Sequence, residues 1–80
     1  AKVEEVVICG AMTHMCIDAT TRAAFDFGFH CQVVEDACAT RDLMHGGTPI
    51  AAADVQAAFM AALAVPYARI VSTGQLLNEI

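Results

Sequence analysis

Residues 3–36 read VEEVVICGAMTHMCIDATTRAAFDFGFHCQVVED, and this stretch decides the fold. It begins with a β-branched apolar run that stops at a glycine, which predicts a strand over Val3–Cys9. Apolar and small residues then recur every three to four positions, which predicts a helix from about Thr13, its N-cap, to about Phe27. A second apolar run predicts a strand over residues 30–36. The stretch therefore predicts strand, helix and strand in succession.

The remaining residues repeat this order. Residues 37–47 have no periodic pattern and are interpreted as irregular. Thr48 and Pro49 are typical of an N-cap and a first helical position, and the helix that they begin extends to about Ala64. The segment ARIVST, residues 68–73, predicts a third strand, and a short turn or helix follows it.

Alternating strands and helices predict an α/β fold, a three-layer, doubly wound (Rossmann-like) parallel sheet with helices on its faces. Val6–Cys9 is apolar at consecutive positions, which is typical of a strand with both faces covered. Three parallel strands alone would leave long apolar edges, which native sheets avoid. We therefore expect further strands beside this one. The chain is therefore interpreted as half of a doubly wound domain.

The composition is apolar and acidic, with 58% hydrophobic residues, 16% charged residues and a net charge of −5. So few polar residues would cover an isolated core poorly. We therefore expect that the chain packs against copies of itself as a homo-oligomer or forms part of a larger domain. The chain lacks the basic cluster that nucleic acids require. Its longest nearly apolar run, Ala51–Val65, is too short for a membrane span, and no signal peptide is recognisable. We expect a cytoplasmic protein with no nucleic-acid or membrane partner.

The cysteines identify a candidate nucleophile. Open parallel sheets bind ligands beyond the carboxyl ends of their strands. Only Cys16 combines such an end with the first turn of a helix, where free N–H groups and the helix dipole lower a thiol pKa. We call the strand-to-helix turn that holds it, residues 10–17, the elbow. The alternative is a cysteine that only packs at a helix start. The four cysteines have no zinc spacing and the three histidines no ligand spacing, so we expect no metal and no cofactor.

Residues 6–42, VVICGAMTHMCIDATTRAAFDFGFHCQVVEDACATRD, resemble the isochorismatase-like cysteine hydrolase superfamily, which includes nicotinamidases, N-carbamoylsarcosine amidases, streptothricin hydrolases and ureidoacrylate-type amidohydrolases. The resemblance extends through AAFMAALAVPYARIVST, residues 57–73, and so covers nearly the whole chain. Its most specific part is G-x-x-T-x-x-C after a strand, followed by D-A-T-x-R-A-A-x-D-x-G-F and V-x-E-D-A-C-A-T-R-D. The three motifs together are specific, whereas the first alone is a weak signal. The resemblance implies the isochorismatase-like hydrolase fold and cleavage of a C–N bond in a small amide or carbamoyl compound. It also implies that residues 1–80 are the later β-α-β-α-β portion, the C-terminal half of a single domain, which would pack against the N-terminal half.

The resemblance also implies site residues. Cys16 matches the nucleophile, which attacks a carbonyl group to form a thioester that water then hydrolyses. The backbone N–H groups of Met12 and Cys16 match the oxyanion hole, and the Ala11–Met12 bond matches a cis peptide. Thr13 and His14 are candidates for support of the site or contact with substrate.

The catalytic Asp and Lys of that superfamily do not map onto this chain, whose only lysine, Lys2, precedes the first strand's apolar run. We therefore expect these 80 residues to be catalytically incomplete alone. A non-catalytic binding or assembly module that retains the fold is the alternative. A thiol-redox protein is a third hypothesis, and it predicts a disulfide between Cys16 and either Cys9 or Cys38.

The aspartates near these segments are interpreted as structural. Asp36 ends the second strand, and we expect it to accept hydrogen bonds from the N–H groups of residues 38–41. Asp18 and Asp26 lie on the helix after Cys16, where exposed acidic side chains are ordinary.

Overall fold

The computed structural model describes residues 4–79 of the chain. Strands and helices alternate, with a short hairpin inserted before the second long helix. The strands are β1 (Glu5–Ala11), β2 (His30–Ala39), β3 (Leu43–His45), β4 (Thr48–Ile50) and β5 (Ala68–Val71). The helical segments are a π-helical turn (Thr13–Ile17) that leads directly into α1 (Asp18–Asp26), followed by α2 (Ala52–Leu63) and α3 (Thr73–Glu79).

The three longer strands form one parallel sheet in the order β1-β2-β5. Each crossover moves one strand further in the same direction, so crossovers of one hand place α1 and α2 on the same face, where they contact each other. The third helix, α3, lies against the opposite face, where Glu79 forms an ion pair with Arg69 of β5. The predicted α/β fold with a parallel sheet and flanking helices is confirmed.

The core lies between the sheet and the helices α1 and α2, which cover one of its faces. It joins alternate strand residues to helix residues in one buried cluster of Ile8, Ile17, Cys31, Val33, Met60 and Leu63. On the other face, Val34 and Val71 are buried beside α3, whereas Val7 of β1 is 50% exposed and Cys9 is also exposed. The expectation that further strands lie beside β1 remains a prediction.

A hairpin occupies the region interpreted as irregular. β3 and β4 pair in an antiparallel manner, with Met44 opposite Pro49. Gly46 and Gly47 connect the two strands with φ angles of 56° and 80°. Two consecutive positive φ angles are what a tight two-residue hairpin requires, and glycine adopts them without a steric penalty. The predicted helix start at Thr48 is therefore wrong, because this residue belongs to a strand.

Helix α2 begins later than predicted, at Ala52, and its cap comes from a distant residue. Asp42 precedes the hairpin, and its Oδ1 accepts a hydrogen bond of 2.7 Å from the N–H of Ala52. The hairpin thus brings the capping carboxylate back to the first turn of the helix. Helix α2 ends at Leu63, and a cis Val65–Pro66 bond lies in the turn before β5. Among residues 4–79, no helix has both the length and the apolar character that crossing a membrane demands.

Candidate active site

The elbow begins with the last two residues of β1, Gly10 and Ala11. Gly10 pairs with Cys38 of β2 after a shift in register, and its φ angle is 123°. A β-carbon at Gly10 would meet Ile17 Cδ1 at 3.8 Å, an ordinary contact, so the backbone conformation rather than lack of space favours glycine. The Ala11–Met12 peptide bond is cis. The chain therefore turns out of the sheet within a few residues.

The helix starts with a wide turn around one carbonyl group. The Met12 carbonyl oxygen accepts hydrogen bonds from the N–H groups of Met15, at 3.0 Å, and Ile17, at 3.2 Å. The N–H of Cys16 lies between these donors in sequence and is not one of them. Met12 is the N-cap residue, with extended backbone angles (φ −108°, ψ 148°) and no side-chain cap. The prediction of Thr13 as N-cap is wrong, because Thr13 is the first residue of the π-helical turn.

The four cysteines differ in accessibility. Cys16 is exposed on the first helical turn at the carboxyl end of β1, and Cys9 is also exposed. Cys31 is buried in the core, and this burial raises the pKa of its thiol. Cys38 is partly buried, and burial is the main cause that raises its thiol pKa. All four are free thiols, so the disulfide that the thiol-redox hypothesis predicts is not formed in this structure.

Thr13 connects the elbow to two other elements. It is fully buried, and its hydroxyl donates a hydrogen bond of 2.6 Å to Oε1 of Gln56 on α2. The Gln56 Nε2 in turn donates to the Glu35 carbonyl oxygen of β2, at 2.8 Å. A longer contact of 3.4 Å joins the Thr13 hydroxyl to the Ala39 carbonyl oxygen. Gln56 was not among the predicted site residues; its only sequence signal is that it and Asp54 are the two polar residues of a mainly apolar helix.

His14 also lies at the junction of the elbow with β2 and α2. Its Nδ1 is 2.8 Å from the Thr40 hydroxyl oxygen, just after β2. Its ring meets that of Phe59 on α2 edge to face, with 6.1 Å between the ring centres. The ring is therefore held in place from two sides.

The acidic residues around the elbow have partners. Asp18 Oδ1 forms an ion pair of 3.0 Å with Arg22 Nε, one turn further along α1. Asp36 accepts its hydrogen bonds from Thr73, so the prediction that it binds the N–H groups of residues 38–41 is wrong. Lys2 lies outside the described residues.

No metal site is formed in the described part of the chain. Between residues 4 and 79, no three His, Cys, Asp or Glu side chains come together in a way that would hold a metal ion. A cavity of about 330 Å³ lies at the opposite end of the sheet from Cys16, lined in part by His30 and Ala68, the first residues of β2 and β5. It is separate from the elbow.

Comparisons with known proteins agree with this architecture. Residues 1–75 match the isochorismatase domain model. The chain is 52% identical over 76 residues to an uncharacterized isochorismatase family protein, YddQ, of Bacillus subtilis (strain 168), covering 95% of this chain and 42% of that protein. A putative isochorismatase hydrolase from Oleispira antarctica superposes with a TM-score of 0.92 at 55% identity, covering 94% of this chain and 40% of that one.

A more distant match supports the fold alone. A cysteine hydrolase from Pseudomonas syringae pv. phaseolicola 1448A has a TM-score of 0.88 at 24% identity, covering 94% of this chain and 36% of that one. The chain thus spans about two fifths of the length of the Bacillus subtilis and Oleispira antarctica proteins.

Proposed function

This chain belongs to the isochorismatase family of hydrolases, and from that premise we propose that it carries the nucleophile and oxyanion hole of a cysteine amidohydrolase. The observation that carries the proposal is the position of Cys16. Its thiol is exposed on the first helical turn at the carboxyl end of β1, where open parallel sheets bind ligands. In contrast, the thiol of Cys31 is buried in the core.

In the proposed reaction, the thiolate of Cys16 attacks the carbonyl carbon of a small amide or carbamoyl compound. A C–S bond forms, and the carbonyl oxygen becomes an oxyanion held by the N–H groups of Met12 and Cys16. That the Cys16 N–H does not donate to the Met12 carbonyl oxygen supports this role. The C–N bond then breaks, the amine leaves with a proton, and water hydrolyses the thioester to release the acid and restore the thiol.

The proton transfers need groups beyond those around Cys16. The nearby Asp18 is already paired with Arg22, and the chain's only lysine, Lys2, precedes β1. We therefore propose that the base and a cationic partner come from another part of the domain, which packs beside β1, or from another subunit of a homo-oligomer. The exposure of Val7 and Cys9 on β1 supports a covering surface there.

The alternative is a binding or assembly module that keeps this fold without hydrolysis. One observation favours this alternative: no pair of an acidic residue and a lysine accompanies Cys16 among residues 4–79. The two functions differ in what the thiol does with an activated acyl group. A hydrolase forms a thioester on Cys16 and then releases it, whereas a binding module reacts no faster than an ordinary exposed thiol.

The test uses the intact natural protein and p-nitrophenyl acetate as a small acyl donor. We expect an acetyl adduct on Cys16, found by mass spectrometry of peptides, with release of p-nitrophenolate. Cys16→Ala should lower this acylation on the order of 10³-fold, because the nucleophile is absent. Cys9→Ala removes the thiol of β1, which has no role in the proposed reaction, and should leave the rate unchanged. Acylation that persists in Cys16→Ala, or a wild-type rate equal to that of a simple thiol, would contradict the proposal.

A further inference from the structure

We propose that Gln56 of α2 is a positioning residue for the oxyanion hole and acts through the hydroxyl of Thr13. The inference rests on the proposed function, because it concerns the elbow that holds Cys16. It assigns a role to a residue that touches neither the thiol nor the reacting carbonyl group in the proposed reaction.

The hydrogen bonds of Gln56 use both ends of its side-chain amide. Oε1 accepts the Thr13 hydroxyl at 2.6 Å, and Nε2 donates to the Glu35 carbonyl oxygen at 2.8 Å. Thr13 is 0% exposed, so its hydroxyl has no access to water as an alternative partner. The Ala39 carbonyl oxygen is 3.4 Å from the same hydroxyl, too long for a strong hydrogen bond. Gln56 is therefore the main partner of Thr13.

The hydrogen bond between Thr13 and Gln56 affects the proposed reaction because of where Thr13 lies in the chain. Thr13 directly follows Met12 and precedes Cys16 by three residues, and these two residues supply the proposed oxyanion-hole N–H groups. Anchoring the side chain of Thr13 restricts rotation of the peptide groups on both sides of it. Oxyanion-hole donors contribute most when they are already oriented toward the developing charge, and small displacements lower the rate.

The helix that carries Gln56 is itself well anchored. Its first N–H is capped by Asp42, and Met60 and Leu63 pack in the core cluster beside Ile17 of the elbow. The hydrogen bond between Thr13 and Gln56 therefore holds the elbow in a fixed position relative to this packed helix. Gln56 is the one polar residue of α2, AADVQAAFMAAL, besides Asp54 in its first turn.

Two reagents separate positioning from general structure. Acetyl transfer from p-nitrophenyl acetate forms a C–S bond, passes through an oxyanion and releases p-nitrophenolate. Alkylation by iodoacetamide forms a C–S bond with loss of iodide and needs only the thiolate. In the intact protein, Gln56→Leu should lower acetylation of Cys16 about 10- to 100-fold, because the oxyanion donors lose their orientation. Alkylation of Cys16 should change less than about twofold, because the thiolate is still present.

The matched control is Gln75→Leu. Like Gln56, Gln75 forms a side-chain hydrogen bond with the backbone, but it lies on α3 and its Oε1 accepts from the Ser72 N–H at 2.8 Å. Both reactions of Cys16 should be unchanged in this variant. Equal losses of acetylation and alkylation rate in Gln56→Leu would show that Gln56 has only a general structural role. Unchanged rates of both reactions would show that Gln56 does not position the oxyanion hole.

Thr13 supplies a second test that does not depend on the folding of Gln56→Leu. Thr13→Ser keeps the hydroxyl and should acetylate within about threefold of wild type, whereas the isosteric Thr13→Val should show the 10- to 100-fold loss. In the double variant Thr13→Val with Gln56→Leu, the two losses of acetylation rate should not multiply, because each change removes the same hydrogen bond between Thr13 and Gln56. Multiplying losses would overturn the inference. Absence of acetylation in the wild type would instead overturn the proposed function, and this inference with it.

Discussion

Asp36 and Thr73 are joined by two hydrogen bonds to a single carboxylate oxygen. Asp36 Oδ1 accepts the backbone N–H and the hydroxyl of Thr73, each at 2.8 Å. These bonds tie β2, three residues before its last residue, to the first residue of α3. The hydroxyl is the main cause, and the N–H the next, that holds the pKa of the Asp36 carboxyl below its ordinary value of 3.8.

This pair predicts a pH-dependent part of the stability. Because the pKa of Asp36 is lower in the folded state, its stabilisation is present above about pH 4 and is lost as the pH falls toward the folded pKa. Asp36→Asn should lower the melting temperature at pH 7 by about 2–4 °C, and the difference from wild type should shrink below about pH 4. Thermal melts at several pH values measure both effects.

The matched control is Asp26→Asn, which removes the same charge from an exposed position at the C-terminal end of α1. It should cost no stability, because a negative charge is unfavourable at that end of a helix. A difference between Asp36→Asn and wild type that is constant across pH would contradict the assignment.

Two leucines test the core. Leu63 is 0% exposed within the cluster between sheet and helices, whereas Leu77 on α3 is 65% exposed. Leu63→Ala should lower the free energy of unfolding by about 2–5 kcal/mol, because it removes buried methyl groups and leaves a cavity. Leu77→Ala should change it by less than about 0.5 kcal/mol. Urea denaturation of both variants measures this contrast, and equal losses would show that the core lies elsewhere.

Two glycines test the elbow. Gly10 has a φ angle of 123°, so Gly10→Ala should cost about 1–3 kcal/mol of stability and lower acetylation of Cys16. Gly74 on α3 has no positive φ, and the nearest atom to an added β-carbon is Ser72 Oγ at 3.9 Å. Gly74→Ala should therefore stabilise the protein by about 0.5–1 kcal/mol. Chemical denaturation reports both, and a Gly10→Ala variant as stable as wild type would contradict the conformational argument.

Two cysteines test the accessibility of the proposed nucleophile. The thiol of Cys31 is buried with a raised pKa, and that of Cys16 is exposed. Iodoacetamide at pH 8 should therefore modify Cys16 at least about 10-fold faster than Cys31. In denaturant the two rates should become similar, since burial no longer distinguishes them. Mass spectrometry of labelled peptides gives each rate, and comparable rates in the folded protein would count against the site.

What the sequence predicts well are the features set by local pattern. Apolar runs bounded by glycine or proline gave the three parallel strands, and the three-to-four spacing gave α1 and α2. The hairpin was missed because Thr48–Pro49 suits a helix start as well as an edge strand. The adjacent Gly46 and Gly47 were the signal for a tight turn, and pairing of Met44 with Pro49 resolves the ambiguity.

The side-chain partners are harder to predict, because they are far apart in sequence. Asp36 was expected to bind N–H groups a few residues away, but Thr73 is 37 positions further along the chain. Thr13 was expected to cap its own helix, yet its hydroxyl donates to Gln56. Small polar residues at strand ends and helix starts have several local acceptors or donors available to them. Tertiary packing determines whether such a residue bonds to a local partner or a distant one. A single sequence does not show which partner is chosen.

The hydrogen bond between Thr13 and Gln56 predicts that the elbow reaches its final structure late in folding. It joins residues 43 positions apart, with β2 and the hairpin between them. Contacts of such long range form only after the intervening chain has closed a large loop. During synthesis, the thiol of Cys16 therefore emerges from the ribosome well before the helix that orients its surroundings. Under the proposed function, we therefore expect the nascent chain to hold an ordinary cysteine and to gain acyl-transfer competence only when the whole unit has folded.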